Sequence, residues 1–320
     1  MKRLALPPLE LANRVGNVDA APDSLGYYEE LGRRSREDVL SALPDGWSFE
    51  GKRVLDFGCG AGRTLRHFTE EAAEAEIWGC DIDAASVDWL RANLCPPLQV
   101  FRNEETPPVD QPAGSFDLIW CVSVFTHLVE TWSAWLVELR RLLAPGAILI
   151  ATFQGEGMSQ LIAEEPWDEE RIGMHVRQWG QGWDLGGPMV LHSPWWIREH
   201  WGRAFDILEI RPSGFASEPD AGQGLVVLRK TAEEVDGAEL ERIDGREPRE
   251  VRGLVHGLHS AREEIAEWRH TAQWLEGELA RCRAGQERLE QAHASIIGSA
   301  SWRLTAPLRA AKQRLARRRG

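Results

Sequence analysis

The chain has 320 residues, 43% of them hydrophobic, and a formal net charge of −13. That length allows one full core with about a third of the chain to spare, and no stretch approaches the ~20 apolar residues of a membrane span. Five cysteines (Cys59, Cys80, Cys95, Cys121, Cys282) form no C-x-x-C pair, which argues against a disulfide framework or a zinc site and for a reducing cytoplasm. The opening "MKRLALPPLELANR" is broken by Pro7 and Pro8 and ended by Glu10, which argues against a secretory leader.

In chain order, "YYEELGRRSREDVLSAL" (27–43) has helical spacing and ends before Pro44. "KRVLDFGCG" predicts a strand and a turn, "GRTLRHFTEEAA" a helix, and "EIWGCDID" a strand ending in carboxylates. Then come a helix "AASVDWLRANL", a short strand "LQVFRN" and a strong strand "FDLIWCVSVF". A helix "WSAWLVELRRLLAPG" is stopped by Pro145 and Gly146, and "AILIATF" gives another strand. This alternation predicts an α/β fold with helices on both faces of a parallel sheet. Ligands of such sheets bind beyond the carboxyl ends of the strands. "FDILEIRPSG" and "GLVVLRK" read as the last two strands, closing the fold near Lys230.

The turn in "VLDFGCGAGRT" (54–64) sets Gly58, Gly60 and Gly62 beside Asp56. A phosphate-binding P-loop needs Lys-Ser or Lys-Thr after the last glycine, whereas Arg63-Thr64 follows in the wrong register. The dinucleotide pattern G-x-G-x-x-G needs glycine where Arg63 stands, and the Asp56 carboxylate would repel a pyrophosphate. Asp56 suits a ligand that carries positive charge.

With "WGCDID", "SFDLIWCVSVFTHL" and "ELRRLLAPGAILIATF" in order after the glycine turn, residues 27–230 resemble the Rossmann-like, class I S-adenosylmethionine-dependent methyltransferases. The resemblance implies a seven-stranded, mostly parallel sheet, a methyl-transferring enzyme and S-adenosyl-L-methionine as cofactor. It implies that Asp56, Phe57, Gly58, Cys59 and Gly60 line the cofactor, with Asp56 ordering the turn and the cofactor ammonium. Asp81 would hold the ribose hydroxyls, Asn103 would lie at the adenine, and Ile82 and Cys121 are also expected to bind the cofactor. Asp83 is the expected cap of the following helix, which spares Asp81 for the ligand.

Methyl transfer to a hydroxyl needs alignment and a proton acceptor. His127, in "VFTHL" just past the fourth strand, is the expected general base, with His175 and His192 as rivals. No metal is expected, since no His, Asp or Glu cluster has ligand spacing. Between Trp167 and Trp201 stand six tryptophans. Trp195, Trp196 and Trp201 are expected in the core, and Trp167, Trp179 and Trp183 are open as contacts to a glycan acceptor.

Beyond Lys230 the composition changes. "TAEEVDGAELERIDGREPRE" reads as a linker. Leu254, Leu258, Ala261, Ile265, Trp268, Ala272, Leu275, Leu279, Cys282, Gln286, Leu289, His293 and Ile296 then follow alternate spacings of four and three. That is a heptad seam, and it predicts a long coiled-coil helix for self-association or a partner helix. From Ser301 on there are seven basic residues and no acidic one, against 30 basic and 50 acidic residues before. Leu304, Leu308, Ala311 and Leu315 make an apolar stripe there, which fits an anionic membrane surface, whereas the acidic body argues against nucleic acid.

"SASWRLTAPLR" resembles a terminal segment of bacterial surface-polysaccharide assembly proteins, and the whole resembles chain-terminating methyltransferases of O-antigen synthesis, without their kinase module. The resemblance implies O-methylation of a sugar of a surface polysaccharide or its lipid-linked precursor, in the cytoplasm or peripherally at the inner face of the plasma membrane. A small-metabolite methyltransferase and a non-catalytic scaffold that recruits glycosyltransferases are the competing expectations. The expected organisation is a lead segment (1–46), a methyltransferase domain (47–231), a linker (232–250), a coiled coil (251–297) and a basic tail (298–320).

Overall fold

The computed structural model describes residues 4–14, 21–162, 166–183 and 186–309. Two compact units are present, Met1–Ala261 and Arg262–Gly320. In the first, the strands in chain order are β1 (Arg53–Phe57), β2 (Glu76–Asp81), β3 (Gln99–Arg102), β4 (Phe116–Cys121), β5 (Leu143–Phe153), β6 (Met174–Arg177), β7 (Met189–His192), β8 (Phe205–Phe215) and β9 (Gln223–Lys230). Seven of them form one sheet in the order β3-β2-β1-β4-β5-β9-β8. Neighbours from β3 to β5 run parallel, and β9 lies antiparallel between β5 and β8. The expected seven-stranded, mostly parallel sheet is therefore present, and the order turns back at β1, where β2 and β4 flank it.

Helices cover both faces: α1 (Leu9–Asn13), α2 (Ser24–Ser41), α3 (Ala84–Asn93), α4 (Trp132–Leu142), α5 (Glu156–Ile162), α6 (Pro194–His200) and α7 (Gly237–Glu241). Alternate side chains of a strand point to opposite faces, and here both faces are buried. Leu55, Phe57, Ile119, Cys121, Leu149 and Ala151 face one apolar cluster, which Trp132, Trp135, Leu136 and Leu139 of α4 complete from one helix face. Val54, Leu118, Trp120, Ile148 and Ile150 face the other cluster, with Leu65, Phe68 and Leu90.

Three features depart from or add to the expected elements. "GRTLRHFTEEAA" forms two 3₁₀ turns, Leu65–Phe68 and Glu71–Ala73, in place of an α-helix. Gly62 has φ +80°, and Thr64 and Thr69 are stiff at χ1, so the run lacks helical propagation. Second, a hairpin of β6 and β7 follows α5. Third, residues 232–250 are packed: Leu240 is fully buried, Arg203 donates to the carbonyls of Glu239 and Leu240, and Glu250 is buried beside His200.

A 51-residue helix, α8 (Pro248–Gly298), begins in the first unit and makes up most of the second. It ends at Gly298, and Ser299 caps a short α9 (Ala300–Leu304) through the Trp302 N–H. Ala311, Leu315 and the basic residues from Lys312 on lie outside the described residues.

Candidate active site

The pleat decides which groups reach the crevice beyond the strand ends. Asp56 pairs in register with Trp120 of β4 and shares its face of the sheet. Only 2% of Asp56 is exposed. Burial pushes its carboxyl up to about 7, and the neighbouring Trp120 indole and Arg63 guanidinium oppose that rise. Phe57 and Cys121 point to the other face. Phe57 packs on Trp135 with ring centroids 4.9 Å apart, and the Cys121 thiol lies 3.7 Å from the Ile150 carbonyl in the core. Their side chains are core, so only their backbone can take part in the expected cofactor site.

The glycine turn is held from the next strand. The N–H groups of Gly58 and Cys59 both donate to the Cys80 carbonyl at 2.9 Å. Gly60 N–H donates to Asp81 Oδ2 at 2.7 Å, and Asp83 N–H donates to Asp81 Oδ1 at 2.8 Å. Gly58 has φ +77°, and a Cβ there would stand 2.4 Å from Val124 Cγ2. Asp83 caps α3 through the amides of Ala85 and Ser86, as expected. Asp81 is thus relieved of capping α3 but ties two loops together. A carboxylate has about four lone-pair sites, of which two are taken. Burial raises its pKa, opposed by these amides.

Asn103 follows β3. Its N–H donates to the Asp81 carbonyl at 3.2 Å and its Nδ2 to the Glu104 carbonyl at 2.9 Å. Its Oδ1 is buried with no hydrogen-bond partner among the described residues. Such an acceptor costs roughly 1–3 kcal/mol unless something donates to it. Between Asp81 and Asn103 in this corner, the Ile82 carbonyl accepts from Arg102 Nε at 3.1 Å.

Past β4, Ser123 holds φ 62°, a left-handed backbone that a non-glycine residue adopts at a cost. Its N–H donates to Thr152 Oγ1 at 2.7 Å, and its hydroxyl accepts from Gln223 Nε2 at 2.9 Å and lies 3.1 Å from Thr126 Oγ1. This bracket across β4, β5 and β9 was not legible in the sequence, since Ser123 and Gln223 are 100 residues apart.

His127 sits four residues further on. Its Nδ1 lies 2.8 Å from the Pro188 carbonyl. A carbonyl only accepts, so Nδ1 carries the proton and Nε2 keeps its lone pair. Burial lowers the imidazole pKa, which holds the ring neutral at pH 7. The hairpin delivers Pro188, because Val190 N–H donates to the Thr126 carbonyl at 2.9 Å. The rivals lie in the core: His175 stacks on His256 at 4.9 Å, and His192 is fully buried beside Trp196 and Trp201 and pushed down to about 3 by burial.

Trp195, Trp196 and Trp201 are buried, as expected. Trp179 and Trp183, in the segment joining β6 to β7, stay 49% and 45% exposed, and the Trp183 indole donates to Glu105 Oε1 at 3.0 Å. Trp167 is partly buried.

Residues 55–149 match the family model described as a methyltransferase domain. With the sheet order, the glycine turn and Asp81, the chain carries a class I S-adenosylmethionine-dependent methyltransferase domain. Among curated relatives it is 27% identical over 151 residues to the malonyl-[acyl-carrier protein] O-methyltransferase of Enterobacter lignolyticus, covering 46% of this chain and 55% of that one. It is 32% identical over 133 residues to phthiotriol/phenolphthiotriol dimycocerosates methyltransferase 1 of Mycobacterium ulcerans, covering 41% and 46%. The chain thus spans about half the length of these relatives. Among solved structures, magnesium protoporphyrin IX methyltransferase from Synechocystis with bound S-adenosylhomocysteine is 19% identical, with a TM-score of 0.47 over 68% of this chain and 94% of that one.

Proposed function

We propose that the protein methylates an acceptor oxygen with S-adenosyl-L-methionine as donor, and that the acceptor is a sugar hydroxyl of a surface polysaccharide or its lipid-linked precursor. One observation carries the cofactor assignment. The bare Gly58–Cys59–Gly60 turn, the Asp81 carboxylate and the orphaned Asn103 Oδ1 lie along the carboxyl ends of three adjacent strands. Their chemistry fits the group: a backbone without side chains for its amino-acid part, a carboxylate for its ribose and an acceptor for its adenine amine. Asp56 lies beneath the turn, where a bound positive charge would favour its ionised form.

When bound, S-adenosylmethionine supplies an electrophilic methyl on a sulfonium. The protein's share is alignment and proton removal. His127 Nε2, with Nδ1 held by Pro188, accepts the proton from an acceptor hydroxyl. The Ser123–Thr152–Gln223 bracket fixes the loop that carries His127. Trp179 and Trp183, on the segment that ends at Pro188, offer exposed faces on which a sugar ring can stack. Several relatives are named O-methyltransferases, including one of ubiquinone biosynthesis and one of fatty acids, which supports oxygen as the methyl acceptor.

Leu304 and Leu308, 80% and 71% exposed, begin the stripe of the basic tail, which in this proposal holds the protein at an anionic membrane. Among the described residues no helix is long and apolar enough to cross one.

Calorimetric titration with S-adenosylmethionine and with S-adenosylhomocysteine tests the cofactor assignment, and micromolar binding is expected. Transfer of a labelled methyl group to cell-surface glycans and their lipid-linked precursors tests the acceptor. Label found only in small metabolites would overturn the sugar assignment and keep the enzyme.

A further inference from the structure

We infer that Gln154 and Gln223 form an acceptor subsite that holds neighbouring hydroxyls of the ring being methylated, an inference that rests on the proposed methyl transfer to a sugar. The last pair of β5 and β9 is Phe153 with Gly224, and the same register carries on to Gln154 opposite Gln223. Opposite residues of an antiparallel pair point to one face, with Cβ atoms roughly 4.5–5.5 Å apart. That face is the one of Ile148, Ile150, Leu225 and Val227, which Trp120 and Asp56 share.

Both side chains lack donors. Gln154 is 3% exposed, its Nε2 reaches only the Met189 sulfur, at 3.7 Å, and its Oε1 has no hydrogen-bond partner among the described residues. Gln223 donates its Nε2 to the Ser123 hydroxyl at 2.9 Å, and its buried Oε1 is likewise unmet among the described residues. Two buried acceptors side by side are destabilising unless something donates to them. Their place is beside the base. Ser123 lies 3.1 Å from Thr126 Oγ1, one residue before His127, and Met189 follows Pro188, whose carbonyl holds His127 Nδ1 at 2.8 Å.

The chemistry of the pair selects the ligand. Carboxamide oxygens accept and carry no net charge, so they take O–H donors and offer nothing to a carboxylate, whose oxygens also only accept. Two such oxygens one strand spacing apart fit two hydroxyls on one small ring. The Met189 side chain, unbranched and half-buried, is the part that yields as the ring enters.

The test uses the full chain with methyl-labelled S-adenosylmethionine and a pool of cell-surface glycans and their lipid-linked precursors. Label is expected in alkali-stable methyl ethers, and cleaving the vicinal diols of the pool with periodate beforehand should remove most of it. Gln154→Met, close in volume but without the carboxamide, should raise the half-saturating pool concentration about tenfold. Its S-adenosylmethionine Kd should match the parent's and its Tm should be no lower. Half-saturation unchanged in the variant, the result of a purely structural carboxamide or of one met by a buried water, overturns the inference and keeps the enzyme. Label in alkali-labile esters, or in acceptors that survive periodate, overturns it as well. The periodate arm needs only the parent and decides alone if the variant fails to fold. A chain that binds no S-adenosylmethionine, or labels nothing in the pool, overturns the proposed function and the subsite with it.

Discussion

Gly60 donates its amide to Asp81 across 2.7 Å, so the turn after the first strand and the end of the second are one structural object. The same carboxylate takes the Asp83 amide, and Asp83 in turn caps α3. A side chain proposed to bind ligand is thereby also the clamp of the loop that shapes the ligand's bed.

Asp81→Ala is therefore expected to weaken S-adenosylmethionine binding by about 2 kcal/mol, roughly thirty-fold in Kd, through lost hydrogen bonds to a charged group. Calorimetry measures it directly. An unchanged Kd would remove Asp81 from the binding assignment.

Gly58→Ala should destabilise the fold and the turn together. The backbone there has φ +77°, and the added carbon would meet Val124 at 2.4 Å. A loss on the order of 1–3 kcal/mol is expected, read as a lower Tm in thermal unfolding. A variant as stable as the parent would mean that the loop bearing Val124 yields freely.

His127→Ala should lower the rate of methyl transfer about 10²–10⁴-fold while leaving cofactor affinity in place. Because burial lowers the His127 pKa, the neutral base persists below the usual value of 6.5. The acid limb of the rate profile is expected to fall on the acidic side of 6.5. A midpoint at or above that value would assign the limb to another group.

Acid stability should carry the mark of His192. Its native pKa is pushed from 6.5 to about 3, so the unfolded chain binds the extra proton between those values. Stability from this group is complete above pH 6.5 and falls on acidification by at most about 1.4 kcal/mol per pH unit. In urea unfolding at several pH values, His192→Phe should show a shallower loss between pH 6 and pH 4 than the parent. Parallel slopes would show that His192 is solvated.

Removal of residues 298–320 should abolish binding to anionic liposomes and leave S-adenosylmethionine binding intact. Equal liposome sedimentation by the shortened protein would refute the membrane role of the tail.

The main sheet was readable because its strands are apolar runs with buried residues on both faces, and α3 after β2 is announced by its capping Asp83; the expected Pro145–Gly146 stop instead lies within β5, since α4 ends at Leu142. The β6–β7 hairpin was not, since "MHVR" and "MVLH" are four-residue pieces with a histidine each, and their pairing depends on a long connecting segment. Of the proposed cofactor residues, Asp56, Asp81 and Asn103 were legible as polar residues near strand ends, where a parallel sheet gathers its ligands. Which way the neighbours point was not. Phe57 and Cys121 turn into the core because each is one residue out of phase with Asp56 and Trp120 on its own strand. The tautomer of His127 depends on a carbonyl 61 residues away.

The packing of residues 232–250 changes where the body of the protein ends. Arg140, only 9% exposed, donates to the carbonyls of Thr231 and Glu233, and His200 is met by the Leu240 carbonyl and Glu250. A fragment stopped at Lys230, where the last strand finishes, would leave Arg140 only the Ala204 carbonyl among its acceptors and would leave His200 without the Leu240 carbonyl and Glu250. The charged stretch that looks like a tether is thus a closing strap. A piece of this chain cut to fold on its own is therefore expected to need the first turn of α8, which carries Glu250.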